Sequence, residues 1–176
     1  MTGARYEGRE TRVMESFWNY SLRTYGRDPV REICLALQDR FHADVNLLLF
    51  LCYRAERGMP VPSLHDIAAM VAAVREVREG TIEPLRNIRR KLRAPLTGQD
   101  LPDLREACRK QVLEAEIAAE ALAQGILEAQ FPVAGEKPAA SRTEQAADAI
   151  FRYLELIGAP IDAAQRMAAD LAAAAA

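Results

Sequence analysis

The chain is poor in the residues that most site chemistries need. It has two histidines in 176 residues, and no H-x-x-x-H or E-x-x-H spacing puts two metal ligands on one helix face. Glu114, Glu116 and Glu120 therefore lack the histidine that a di-iron bundle would use. His42, Asp44, His65 and Asp66 could converge only if the helices carrying them formed an antiparallel hairpin. Neither a metal nor any other cofactor is expected. The three cysteines, Cys34, Cys52 and Cys108, are odd in number and far apart, with no C-x-x-C pair. That argues against a zinc site and a disulfide framework. Each sits in an apolar helical context and is expected to be a small buried hydrophobe. No G-x-S-x-G elbow and no glycine-rich phosphate loop occurs, so no catalytic residue is assigned. Ser21 has no sequence sign of a base partner and is expected to bond back within its own helix.

An excess of charge is also missing. Basic residues number 23 against 25 acidic, a formal net charge of −2. A dedicated nucleic-acid binder is normally basic overall, so nucleic acid is not the expected partner. Lysine is nearly absent, with only Lys91, Lys110 and Lys137 beside the arginines. The longest apolar run, Val45 to Tyr53, is interrupted by Asn46 and too short to span a bilayer. The opening MTGARYEGRETRVME is charged and has no apolar signal core. A cytoplasmic location without a membrane span is the expectation.

What is present is the balance of a globular protein: 50% hydrophobic and 27% charged residues, in a chain of one-domain length. Nearly every segment carries apolar residues at helical period, and none alternates as a strand does. The fold class is therefore all-α, a compact bundle of about six helices with a C-terminal helical hairpin. Helix 1 is placed at Met14–Tyr25, ended by Gly26. Helix 2 starts at Asp28-Pro29, with the aspartate as cap and the proline in the first turn. Helix 3 follows Asp44 to about Gly58 and is apolar all round, as a central helix would be. Ser63-Leu-His-Asp66 reads as a capping box opening helix 4, to about Glu79. Gly80-Thr81 is expected to break the chain before helix 5, Ile82–Arg93. Helix 6 spans Asp103–Gln130. The final pair is placed at Thr143–Ile157 and Asp162–Ala175, divided by Gly158-Ala-Pro160. The corresponding organisation is a flexible N-terminus at 1–13, a bundle domain at 14–131, a linker at 132–142 and a helical appendage at 143–176. The alanine-rich end has little large to bury and is expected to be the least ordered segment. The appendage either packs back on the bundle or projects towards a partner.

Three stretches carry a resemblance. Phe17-Trp-x-x-Ser-Leu-x-x-Tyr25, Cys34-Leu-x-Leu-Gln-Asp39 and Asp44-Val-Asn-Leu-Leu-Leu49 resemble a family of small, uncharacterised proteobacterial proteins. Ile82-x-Pro-Leu-Arg-x-x-Arg-x-x-Leu92 and Glu114-Ala-Glu116 extend the likeness, which covers about residues 14–122. The family pattern has glycine after the Gln-Asp motif, where this chain has His42. The resemblance implies a domain of unknown function and supplies no activity.

Three constellations remain as candidate sites. Gln38, Asp39, Asp44 and Asn46 meet where helix 2 turns into helix 3. Asp44 suits the cap of helix 3, and Asn46 with Gln38 could satisfy the amides of that buried start. The alternative for this cluster is a small polar ligand pocket. Val112, Ala115, Ala119, Leu122 and Ile126, following Cys108, form a coiled-coil-like seam on helix 6, the natural surface for a protein partner or a second copy of the chain if no internal helix fills it. Arg86, Arg89, Arg90 and Arg93 form the strongest basic feature. An antiparallel pairing of helices 5 and 6 would set Arg86, Arg89 and Arg93 against Glu116 and Glu120 as ion pairs. Left unpaired, the same arginines would form an anion or nucleic-acid patch. Phe17, Trp18, Tyr20, Tyr25 and Tyr53 are expected to anchor helix 1 to helix 3, with part of helix 1 left as a docking patch. The leading reading is a non-enzymatic protein-interaction or adaptor protein. The alternatives are a small-molecule binder or enzyme at the helix 2–3 corner, and nucleic-acid or anion binding through residues 82–93.

Overall fold

A computed structural model of the chain describes residues 15–95, 98, 100–133 and 142–176. The flexible segment expected at 1–13, Met14 as the start of helix 1, and positions 134–141 of the expected linker lie outside the described residues. Among the described residues every regular element is helical and no strand occurs, in agreement with the all-α reading.

Local chemistry sets most of the boundaries. α1 (Phe17–Tyr25) opens at Ser16, whose hydroxyl accepts the Asn19 N–H. α2 (Asp28–Phe41) departs from the expected cap. Asp28 is its first helical residue, pairs with Arg31 one turn on, and leaves Arg27 in the capping position. α3 (Val45–Glu56) follows its Asp44 cap and is buried at every position from Asn46 to Ala55. That burial is what an all-round apolar helix requires. α4 (Leu64–Val77) opens with the full capping box. Ser63 accepts the Asp66 N–H, and the Asp66 carboxylate accepts the Ser63 N–H at 3.0 Å.

The expected break at Gly80-Thr81 is absent. The chain instead stays helical through a π turn, Arg78–Ile82, and continues into α5 (Glu83–Lys91). Proline explains the detour. Pro84 has no N–H to give to the carbonyl four residues earlier, and its ring would crowd that carbonyl. Widening the turn lets the Glu83 N–H reach Arg78 O instead, five residues back. α6 (Pro102–Gln130) then returns along α5. No residue of α6 before Glu116 is buried, so among the described residues its first half lies against little besides α5.

α7 (Arg142–Leu156) and α8 (Ile161–Ala175) form the C-terminal hairpin, turned at Gly158 in the left-handed region (φ 83°). α7 packs along α3 and α8 against α2. The alanine-rich α8, expected to be least ordered, buries Ala164, Ala168, Leu171, Ala172 and Ala175. Small side chains let its backbone approach closely, so area is buried without large groups. Arg27 closes its end by donating to the carbonyls of Ala174 and Ala175.

An aromatic cluster joins α1 to α3. Phe17 meets Phe50 edge-on with centroids 4.9 Å apart, and Tyr20 lies 5.2 Å from Tyr53. Trp18 and Tyr25 are only half-buried, and Leu22 is exposed. Cys34 and Cys52 are buried as expected, and burial pushes the Cys34 thiol up to about 12. Cys108 is instead exposed, because it lies on the outlying half of α6. No helix among the described residues is long and apolar enough to cross a membrane.

α2 ends on His42, which takes the left-handed conformation (φ 55°) and donates its N–H to Gln38 O at 3.0 Å. Glycine adopts that conformation without strain, whereas an L side chain is strained by about 1 kcal/mol or more. His42→Gly is therefore expected to stabilise the protein by about 1 kcal/mol and raise Tm by about 2–4 °C in thermal unfolding. An unchanged or lower Tm would show that the residue is not strained there.

Candidate functional site

The corner between α2 and α3 is built around the start of a buried helix. Asp44 is 6% exposed, and its carboxylate accepts the Asn46 N–H at 2.9 Å. Its own N–H donates to the Tyr153 hydroxyl at 2.7 Å, so α7 reaches into the corner. Burial pushes the Asp44 carboxyl up, opposed by the nearby Arg78 guanidinium and the amides it caps. Arg78 also donates to His42 O at 2.7 Å and to Glu83 at 3.0 Å, tying the π turn to the end of α2.

Asn46 and Gln38 are not the acceptors for the first amides of α3, which Asp44 serves. Asn46 accepts from the Gln124 side chain on α6 at 2.7 Å, and Gln38 accepts from Arg86 on α5 at 2.8 Å. Asp39 is exposed and has no partner among the described residues. His42 and His65 are both exposed. Among the described residues no three histidine, cysteine, aspartate or glutamate side chains gather closely enough to hold a metal. His42, Asp44, His65 and Asp66 thus do not form the convergent set that a hairpin of α3 and α4 would allow.

The pairing expected between the fifth and sixth helices is present. Arg86 donates to Glu116 at 3.0 Å and to Glu120 at 2.9 Å, and Arg89 donates to both Glu116 oxygens. Arg90 and Arg93 are exposed and make no ion pair among the described residues. Half of the candidate anion patch is thus engaged internally. Burial alone would raise the Glu116 carboxyl, but hydrogen bonds from Arg89 and Arg86 outweigh it and hold it below the ordinary value. Glu120 goes the other way: burial raises it, and Arg86 only partly offsets that.

On α6 the expected seam is not the core stripe. Of its residues only Ala119 is buried; Val112 and Ile126 are half-buried, and Ala115 and Leu122 are exposed. The core side carries Glu116, Ala119, Ala123, Gln124 and Leu127. The seam therefore runs along one flank of the buried stripe, about a quarter turn away. Sequence reasoning missed Gln124, Arg78 and Tyr153. A signal existed for Gln124: Glu116, Glu120 and Gln124 recur every four residues, which aligns polar groups on one helix face. Nothing local announced Tyr153, which lies 109 residues from its partner.

Two hollows open on this network. The larger, about 760 Å³, lies among α1, α2, α5 and α6, with Trp18, Leu22 and Ile117 in its walls. The smaller, about 370 Å³, is lined by Asp44, His42, Arg78 and their neighbours. Gln38, Asp39, Val45, Asn46, Arg86 and Arg90 line both, so the predicted polar corner separates them. Such an arrangement can position a ligand by hydrogen bonds and apolar contact.

Replacing Glu116 leaves two arginines without their shared acceptor. Glu116→Gln is expected to destabilise the protein by about 3 kcal/mol, the lower end for a buried pair, because Arg86 and Arg89 keep 20% and 17% of their side-chain surface. The pH dependence follows from the lowered carboxyl: the stabilisation is complete above the ordinary value of 4.5 and disappears as pH falls below it. Urea unfolding should give a wild-type advantage that is full at neutral pH and shrinks in acid. An equal gap at pH 7 and pH 3 would refute the pairing.

No curated protein and no solved structure matches the chain. The family described as a protein of unknown function, DUF2390, matches residues 16–127, which run from the cap of α1 through Leu127 of α6 and leave out α7 and α8. With more than half of its length matched, the chain belongs to that family of unknown function, as the expected domain of unknown function implied.

Proposed function

We propose that the protein is a non-enzymatic adaptor that binds a protein partner along the seam flank of α6. One observation carries the reading. Leu104, Cys108, Val112, Ala115 and Leu122 fall on a single stripe of α6, and none of them is buried. Leu104 and Leu122 are 66% and 57% exposed. Steps of four and three along a helix make a face onto which a partner helix packs, and the small residues allow a close approach. A free apolar stripe of this length is a feature of interaction surfaces. The cytoplasm is the compartment that suits this reading, since exposed Cys108 lies within the stripe and a reducing environment keeps it a thiol. A nucleic-acid role has weaker support, because Arg86 and Arg89 are already engaged by Glu116 and Glu120.

The test is affinity capture from the native organism with the wild-type chain and with a Leu104→Glu/Leu122→Glu variant, whose substituted positions face solvent and should leave the fold unchanged by circular dichroism. Sedimentation of both proteins detects self-association in parallel. Partners or dimers present with the wild type and lost with the variant are expected. The same partners retained by both, or a monomer that captures nothing specific, would count against the seam.

A further inference from the structure

The opposite flank of α6 borders a different kind of surface. There the 760 Å³ hollow has exposed apolar walls, with Leu22 57%, Ile117 43% and Leu35 41% exposed, and half-buried Trp18 beside them. Its volume falls in the range of small-molecule sites, roughly 300–1,000 Å³. Five arginines line it against three carboxylates, Asp39, Glu116 and Glu120. Arg86 and Arg89 are matched by the two glutamates, and Arg31 pairs with Asp28 outside the lining. Arg90 and Arg93 remain as cations without an ion pair among the described residues, and Asp39 as one unmatched carboxylate.

A second observation is independent of charge. Ser21 and Gln124 line the same hollow at 4% and 5% exposure, and neither Ser21 Oγ nor Gln124 Oε1 has a hydrogen-bond partner among the described residues. The bond expected for Ser21 within its own helix is not made. A buried polar atom without a partner is costly, and since both atoms are closed to solvent, a ligand recovers that loss where the side chain rotates towards the hollow. The Ser21 hydroxyl can donate to an anion or accept a hydrogen bond, and Gln124 Oε1 can accept a ligand hydroxyl or water.

We infer that this groove binds an anionic amphiphile: one carboxylate or other singly charged head group on an apolar body. The body lies against Trp18, Leu22 and Ile117, and the head is held by Arg90 and Arg93. Arginine suits such a head because its planar fork can give two hydrogen bonds to a carboxylate. The site does not depend on the adaptor reading, since it uses the other side of α6.

Trp18 is the only tryptophan in the chain and stands in the wall, so its emission reports on occupancy. The full chain is titrated with decanoate, and with decyltrimethylammonium as the oppositely charged control, below micelle-forming concentrations. Calorimetry provides a second readout. Saturable one-to-one binding of decanoate, at least tenfold tighter than the cationic control, is expected. Arg90→Glu/Arg93→Glu, at two exposed positions, should weaken decanoate at least tenfold with unchanged circular dichroism, while Leu104→Glu/Leu122→Glu leaves it unaltered. No saturable binding by either readout, equal affinity for both head groups, or full affinity in the arginine variant would overturn the inference.

Discussion

A carboxylate in the middle of a long helix, 4% exposed, is the constraint on which the rest of the site depends. Glu116 cannot stay charged in that position without partners, because desolvating an unpaired carboxylate is far more costly than any local packing gain. Arg86 and Arg89 supply the compensation, and both come from the turns of α5 just after the π turn. Pairing therefore fixes how α5 lies on α6. It also leaves one Arg86 nitrogen directed at Gln38, which ties the hairpin to the end of α2. One buried charge thus connects three helices that share little apolar contact, since α5 has no buried residue of its own.

The same helix divides two surfaces. Its buried stripe sets Glu116 and Gln124 among Ala119, Ala123 and Leu127: Gln124 bonds Asn46 in the corner, Glu116 is linked to it through Arg86, and the alanines allow close packing. One flank presents the open seam and the other borders the hollow beneath α1. The corner is completed from outside the matched family segment, because Tyr153 on α7 accepts the Asp44 N–H. The C-terminal hairpin is thus bonded to the first buried turn of α3.

Much of this was legible locally. The Ser63–Asp66 capping box, the Asp44 cap, the buried character of α3 and the opposition of Arg86 and Arg89 to Glu116 and Glu120 all follow from spacing and charge over a few residues. What was not legible depended on long-range choices. Apolar period on α6 pointed to Val112, Ala115 and Leu122, yet the core stripe carries Glu116 and Gln124, because their partners sit on other helices. The order of α8 was underestimated because its side chains are small, although small side chains are what allow it to lie close to α2 and α7. The unbroken passage from α4 to α5 was missed because Gly80-Thr81 suggested a stop, while the decisive residue was Pro84 and the response to it was a wider turn.

If the buried Glu116 pair organises this part of the molecule, its two members must contribute jointly to stability. A double-mutant cycle on Arg86→Ala and Glu116→Ala, read by urea unfolding at neutral pH, measures that joint contribution directly. A favourable coupling of about 2 kcal/mol is the expected result for two charges in contact with 20% and 5% side-chain exposure. Additive single effects, with coupling within about 0.3 kcal/mol of zero, would contradict the central role given to this pair.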